Sequence, residues 1–325
     1  MSEKYYSRLA IDLILSDDQK VLLQLRQNKQ YMNNLYGPAC GGHVEKGESF
    51  TKAIKREAKE EIGIDIDEKD LKFLAIFHSY KTDHVLLFVT VNKYRGDPTI
   101  REPDLCGGLD WFDKYNLPQN TIPYIEKIFK GINQGVKYFD NDSCDDAHNN
   151  VDSNSSLNAI NNSDKYQSRL AVNYLMFREK EGKKEILLQL RQNTGYKDNM
   201  YDFACSGHVD ADESFADAVK REAKEEIGIE IKKENLKLLA VNHDYGQDHV
   251  QLFFTSDSYE GIPTVCEPEQ CGGLLWADIN NLPEDTIPYV KNVLECIKRG
   301  IEYDDGNFQF LNSSLKDKEH IGQEI

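Results

Sequence analysis

The chain has 325 residues, 39% of them hydrophobic and 29% charged, a length that predicts two domains and a composition that predicts well-solvated ones. A net charge of −17 repels phosphate backbones and excludes sequence-independent binding of nucleic acid polymers, though not of a nucleotide whose phosphates are shielded by divalent cations. No apolar run approaches the roughly 18 residues of a membrane span, and Met1 to Arg8 lacks the apolar stretch of a signal peptide; seven cysteines without a Cys-x-x-Cys pair predict free thiols in a reducing, cytoplasmic setting.

The first elements predicted are β-type runs at Arg8 to Leu15 and Val21 to Arg26. A helix follows at Ser49 to Ile62, then strands at Leu71 to His78 and His84 to Tyr94, and a last helix at Pro123 to Asn133. The chain then repeats itself. Val21-Leu22-Leu23-Gln24-Leu25-Arg26-Gln27-Asn28 returns as Ile186-Leu187-Leu188-Gln189-Leu190-Arg191-Gln192-Asn193, an offset of 165 that also carries Tyr31 to Tyr196, His78 to His243, Trp111 to Trp276 and Pro123 to Pro288. Upstream the offset is 161, Ser7 matching Ser168, so the second copy carries an insertion near Glu179-Lys180-Glu181-Gly182 that reads as a hairpin tip. Its helices fall at Ser214 to Ile227 and Pro288 to Arg299. The predicted organisation is a first domain over 5–140, an Asn/Asp/Ser-rich flexible linker over 141–165, a second domain over 166–310 and a polar tail over 311–325, each domain a mixed sheet with helices packed on it, of α/β class. Trp111 and Trp276 read as core residues, and His78, His84, His243 and His249 as structural.

The first helix carries an unfavourable cluster. Ser49 suits the cap, Gly63 the left-handed stop, and Ile54, Ala58 and Ile62 form the buried stripe. Glu57, Glu60 and Glu61 fall within a sector of about 100° beside that stripe, at spacings where like charges cost about 0.2–0.5 kcal/mol per pair. They also crowd the last turn, where the helix dipole disfavours anions. The second copy repeats the arrangement at Glu222, Glu225 and Glu226 before Gly228. A bound hard cation such as Mg²⁺ relieves this repulsion; an acidic solvated face is the alternative.

At these residues a known pattern is met. Gly42-x5-Glu48-x7-Arg56-Glu57-Ala58-x-Glu60-Glu61-x-Gly63-Ile64 resembles the Nudix box, and Gly207-x5-Glu213-x7-Arg221-Glu222-Ala223-x-Glu225-Glu226-x-Gly228-Ile229 resembles it again; only Ala58 and Ala223 depart, standing where a bulkier aliphatic is usual. The resemblance implies two α/β/α sandwich domains in tandem that cleave the diphosphate of a nucleoside diphosphate linked to a group X, with water and Mg²⁺ or Mn²⁺. It implies that Glu57, Glu60, Glu61 and the Gly41 carbonyl hold the metal, with Glu57 also the base, and that Glu48 pairs with Arg56. In the second copy the roles pass to Glu222, Glu225, Glu226 and the Ser206 carbonyl, with Glu213 pairing Arg221. Glu102 and Glu267, outside the boxes, complete the metal sites.

For substrate, Asn120 resembles the base-reading Asn of MutT-type nucleoside triphosphate pyrophosphohydrolases, and Asp285 stands at its place in the second copy. Arg26, Arg191, His43 and His208 are further candidates for substrate contact. Tyr80 and Tyr245 resemble a marker of dinucleoside polyphosphate hydrolases, and no proline marks the neighbourhood as in ADP-ribose enzymes. The expected activity is hydrolysis of a nucleoside triphosphate, oxidised ones included, to the monophosphate and pyrophosphate. Dinucleoside polyphosphate or nucleotide-sugar hydrolysis and a non-catalytic nucleotide-sensing module are the alternatives. The expected partner is a small-molecule nucleotide, with neither nucleic acid polymer nor membrane, and the two domains are expected to pair as an intramolecular pseudo-dimer.

Overall fold

A computed structural model describes residues 5–29, 32–144 and 166–306; the predicted tail and all but the start of the predicted linker lie outside them. The chain divides into two compact units, with the boundary between Ser168 and Arg169. In the first unit, β1 (Tyr6–Leu13), β2 (Lys20–Arg26), β3 (Tyr36–Pro38) and β4 (Cys40–His43) precede α1 (Phe50–Glu61). Then come β5 (Asp65–Ile66), β6 (Leu71–Ser79), β7 (His84–Val91), β8 (Tyr94–Arg95), β9 (Cys106–Asp113), α2 (Pro123–Asn133), β10 (Tyr138–Asp140) and the short α3 (Asn141–Cys144). The second unit repeats the series as β11 (Gln167–Tyr174), β12 (Phe177–Lys180), β13 (Lys183–Arg191), β14 (Tyr201–Phe203), β15 (Cys205–His208), α4 (Phe215–Ile227), β16 (Leu236–Asp244), β17 (His249–Ser256), β18 (Cys271–Asp278), α5 (Pro288–Lys298) and β19 (Tyr303–Asp304).

Each unit holds one mixed sheet and one antiparallel sheet of three or more strands, and in the first β5 also pairs antiparallel with β8. In the first, β10 runs parallel to β6, β6 antiparallel to β7, β7 parallel to β1, and β1 antiparallel to β4; β3, β2 and β9 form the second sheet. In the second unit β19, β16, β17, β11 and β15 follow the same senses, while β13 pairs with β12, β14 and β18. Strands β1 and β7 alternate buried and half-buried positions along much of their length, the period of two that puts one face on the core. The amphipathic helix α2 lays Ile125, Ile128 and Phe129 on Phe77, Phe88 and Phe139; α5 does the same with Val290, Val293 and Leu294. Each such fully buried side chain contributes about 1.5–3 kcal/mol.

Helix α1 starts where Ser49 Oγ accepts the Lys52 amide, and the left-handed Gly63 follows it at φ +74°. The expected insertion is a hairpin tip: Lys180 pairs with Lys183, and Glu181 and Gly182 both take positive φ, as a two-residue primed turn requires. All seven cysteines are free thiols. Among the described residues no helix is long and apolar enough to cross a membrane.

Two readings need correction. Residues 141–144, expected as linker, form a helical turn closed by reciprocal hydrogen bonds between Asp140 and Ser143, and Cys144 is fully buried in the first core. The polar composition hid one apolar anchor. Trp111, read as core, is 40% exposed, because in β9 its neighbour Phe112 takes the inward position and packs edge-on against Tyr36. Trp276 is half-buried, with the Arg178 guanidinium 4.1 Å from its ring centre.

Candidate active site

Two local devices bring the box residues together. Strand β4 pairs with β1 so that Gly41 faces Asp12, and β15 pairs with β11 so that Ser206 faces Asn173. Helix α1 then packs on β4, and α4 on β15. A side chain at Gly42 would overlap the Glu57 carboxylate, and one at Gly207 that of Glu222, so glycine is what lets these carboxylates reach the strand backbone.

Arg56 organises the first cluster. Its Nε and Nη2 donate to both oxygens of Glu48 at 3.0 and 2.9 Å, Nη1 reaches Glu57 and, at 3.4 Å, Glu60, and Nη2 also donates to the His43 carbonyl. Arg221 repeats this with Glu213, Glu222, Glu225 and the His208 carbonyl. These bidentate, charge-assisted bonds, those to Glu48 and Glu213 above all, raise the proton affinity of both guanidiniums. Glu61 accepts the Gly41 amide at 3.0 Å and the Gln24 side-chain amide at 3.2 Å; Glu226 accepts the Ser206 amide at 2.7 Å.

Burial pushes the proton affinity of Glu57 and Glu61 up, against the pull of Arg56 on the former and the Gly41 amide on the latter. Glu222 behaves like Glu57. Glu226 is pushed up to about 8 by burial, with the charges of Glu222 and Glu267 adding to it and the Ser206 amide opposing. The influence of Glu267 places that residue beside the second box; Glu102 lines the first cleft with Glu57 and Glu61.

The predicted residues therefore divide. Gly41, His43, Arg26, Arg56, Glu57, Glu61 and Glu102 share a cleft of about 790 Å³. Ser206, Glu226, Glu267 and Arg191 share a cavity of about 160 Å³, while Ser206, His208 and Arg191 also line a larger cleft of about 1000 Å³. Glu60 and Glu225 are exposed and lean on the arginines. Asn120 is exposed, its amide donating to the Asn34 carbonyl at 3.1 Å, and Asp285 is exposed with its own carbonyl taken by the Tyr201 amide. Tyr80 donates to Asp142 at 2.6 Å and Tyr245 sits edge-on to His243; neither lines these clefts. His249, read as structural, lines the larger cleft and stacks on His208 at 5.8 Å.

Sequence reasoning passed over Asp12. It is half-buried with its carboxyl against the Gly41 backbone, and burial pushes it up to about 7 despite Arg26, with Glu61 and Glu57 adding to the rise. Its signal was a lone acid inside the apolar run Leu9 to Leu15. Gln24 was passed over as well, although Gln189 repeats it.

The donor chemistry fits a hard divalent cation: oxygen ligands only, held in a half-buried site where burial, and then the neighbouring carboxylates, already raise proton affinity. As placed, no group of three or more His, Cys, Asp or Glu side chains among the described residues encloses an ion, since Arg56 and Arg221 draw Glu57, Glu60, Glu222 and Glu225 toward themselves.

Comparison with known proteins agrees with the boxes. The NUDIX domain family model matches residues 6–129 and again 167–295. An ADP-ribose pyrophosphatase of Methanocaldococcus jannaschii is 34% identical over 125 residues, covering 38% of this chain and 70% of that protein. A Nudix hydrolase of Deinococcus radiodurans is 32% identical over 91 residues, covering 28% of this chain and 53% of its own length. A solved MutT NUDIX hydrolase from Burkholderia pseudomallei is 26% identical with a TM-score of 0.34, covering 40% of this chain and 97% of that one. With two matched domains that together make up well over half of its length, the chain belongs to the Nudix family.

Proposed function

We propose that both units are Mg²⁺- or Mn²⁺-dependent pyrophosphohydrolases that split the diphosphate linkage of a nucleoside diphosphate bearing a group X, with a nucleoside triphosphate as the leading substrate. The observation that carries this reading is the intact pair of acidic clusters, each wedged against a box glycine and clamped by one arginine. Glu57, Glu60, Glu61, Glu102 and the Gly41 carbonyl would hold the cation in the first unit, and Glu222, Glu225, Glu226, Glu267 and the Ser206 carbonyl in the second. A cation bound there supplies charge neutralisation at the phosphate oxygens and a more acidic attacking water.

The chain's own groups do the rest. Glu57 and Glu222 accept the proton of the water that attacks phosphorus, while the phosphorus–oxygen bond of the anhydride breaks and pyrophosphate leaves. Arg56 and Arg221 fix the orientation of these bases; the Gly41 and Ser206 amides fix Glu61 and Glu226. Arg26, Arg191, His43 and His208 line the clefts with positive or hydrogen-bonding groups suited to phosphate. The identity to an ADP-ribose pyrophosphatase favours a second reading, hydrolysis of ADP-ribose, and the position of Asn120 on Asn34 weakens the triphosphate reading that leaned on it.

A Mg²⁺-dependent hydrolysis panel of nucleoside triphosphates, ADP-ribose and dinucleoside polyphosphates, with product identification, tests the proposal on Glu60→Gln, Glu225→Gln and the double variant. Each single change silences its own unit and the double abolishes turnover. Full activity in the double variant refutes the site.

A further inference from the structure

The larger cleft of the second unit runs from Ser206 and Gly207 at the box to the first turn of α5, and about 1000 Å³ is room for a nucleoside beside its phosphates. Its far wall carries Gln251 on β17 and Tyr289 and Asn292 on α5. The Tyr289 hydroxyl donates to Gln251 Oε1, which turns the oxygen of that amide toward Tyr289. Gln251 Nε2 stands 3.3 Å from His249 Nδ1, which uses one of its two hydrogens and leaves the other to the cleft. Asn292, one turn beyond Tyr289, brings a second amide to the same wall. Nearby, Asp202 accepts the Phe203 amide and Arg191 Nη1.

The same positions in the first unit are Leu86 for Gln251, Lys127 for Asn292 and Gly37 for Asp202, with the tyrosine kept as Tyr124. Leucine neither donates nor accepts. Tyr124 stacks flat on Phe77 at 5.3 Å, whereas Tyr289 meets Phe203 and Phe253 at steeper angles.

Resting on the hydrolase reading above, we propose that the two sites differ in substrate. The second selects a nucleobase that presents a carbonyl oxygen to the amide nitrogen of Gln251, and the first draws no such distinction. A base with an amino group at that place would set donor against donor, leaving a polar group unpaired in the cleft, a mismatch that sites discriminate strongly.

ITP and ATP differ only in the oxo or amino group at C6 and make a clean probe. Full-length Glu60→Gln reads the second site alone and Glu225→Gln the first. The ITP-to-ATP ratio of kcat/KM is expected to be roughly tenfold at the second site, the order of one net hydrogen bond, and near unity at the first. Gln251→Leu brings the second ratio near unity, and Gln251→Glu, which replaces the donor by an acceptor, turns it toward ATP; a purely structural role would lower both substrates together. Equal ratios at the two sites, or a ratio untouched by Gln251→Leu, overturn the selection while sparing hydrolysis. Calorimetric binding of IMP and AMP to the same proteins gives the ratio without turnover. An inactive chain that still prefers IMP supports the selection and refutes hydrolysis, and one that binds both alike refutes both.

Discussion

The two units share a box but balance the charge of the neighbouring strand differently. In the first, the charge of Arg26 acts on Asp12, and the position of Asp202 is Gly37. In the second, Arg191 is bound to Asp202, the Tyr196 carbonyl and Thr194, and the position of Asp12 is Asn173. An aspartate thus acts on the arginine in each unit, from β1 in one and from β14 in the other. The residue paired with that β1 or β11 position changes in step, Gly41 against Asp12 and Ser206 against Asn173. A side chain at Gly41 would overlap the Asp12 carboxyl and the Ile11 carbonyl oxygen, whereas the second box carries Ser206 opposite Asn173. The duplication kept the box carboxylates and let their support drift.

The sharpest way to break this comparison is Asp12→Asn, which gives the first unit the second unit's amide. A carboxyl held at about 7 when folded, against an ordinary value near 3.8, keeps a proton that the unfolded chain has lost. Its contribution to stability is therefore full below pH about 4, is lost as pH rises to 7, and is constant above. The variant lacks this slope and at pH 8 is more stable than the parent by at most about 4 kcal/mol, less in proportion to the water that reaches the half-buried side chain. Urea unfolding at pH 4.5 and pH 8 in EDTA reads the difference; parallel pH curves for parent and variant would remove Asp12 from this account.

Next in size is the glycine contact common to both units. Gly42→Ala and Gly207→Ala each push a methyl group into the mobile end of a glutamate, which the fold survives but the carboxylate geometry does not. Each is expected to cost its own site about a hundredfold in kcat with little loss of stability, the scale of a 1 Å displacement of a reacting group. With the other site silenced by Glu225→Gln or Glu60→Gln respectively, retained activity in Gly42→Ala or Gly207→Ala means that Glu57 or Glu222 is not the base.

Proton release on metal binding gives a smaller, graded effect. With Glu226 pushed up to about 8, the second site is largely protonated at neutral pH, so Mg²⁺ must displace close to one proton there, and its apparent affinity rises up to about tenfold per pH unit between 6 and 8. Calorimetry of Mg²⁺ binding to the parent and Glu226→Gln chains in buffers of different ionisation heat separates the contribution of Glu226; identical proton release from both contradicts it.

What was legible in the sequence was local. The caps of α1, the stop at Gly63, the arginine clamps and the hairpin tip are each written within about a dozen residues, where spacing determines contact. Asp12, Gln251 and Asn292 were not legible, because their place depends on strand register and on a helix brought in from far along the chain; a polar residue in an apolar strand does not say which face it meets. Asn120 shows the converse. Its position before α2 matched a pattern, but the direction of its side chain was settled by the Asn34 carbonyl, 86 residues away. Cys144 escaped because a polar run was read by its average.

The smallest effect concerns the one place where the copies differ in length. The first unit turns between β1 and β2 with the Gln19 and Lys20 amides bonded to Asp17, whereas the second extends a hairpin through Glu181 and Gly182. Gly182 has φ +74°, and a side chain there would meet nothing within 4 Å, so Gly182→Ala introduces backbone strain and no clash. A cost of about 1 kcal/mol is expected in thermal unfolding, with kcat and KM of both sites unchanged. Strands β12 and β13 do carry Arg178 onto Trp276 and Arg191 into the cleft, so the tip is connected to the site through a continuous ladder. A change in turnover from Gly182→Ala would show that this ladder transmits strain, and that the insertion, like the exchanged aspartates, separates the chemistry of the two units.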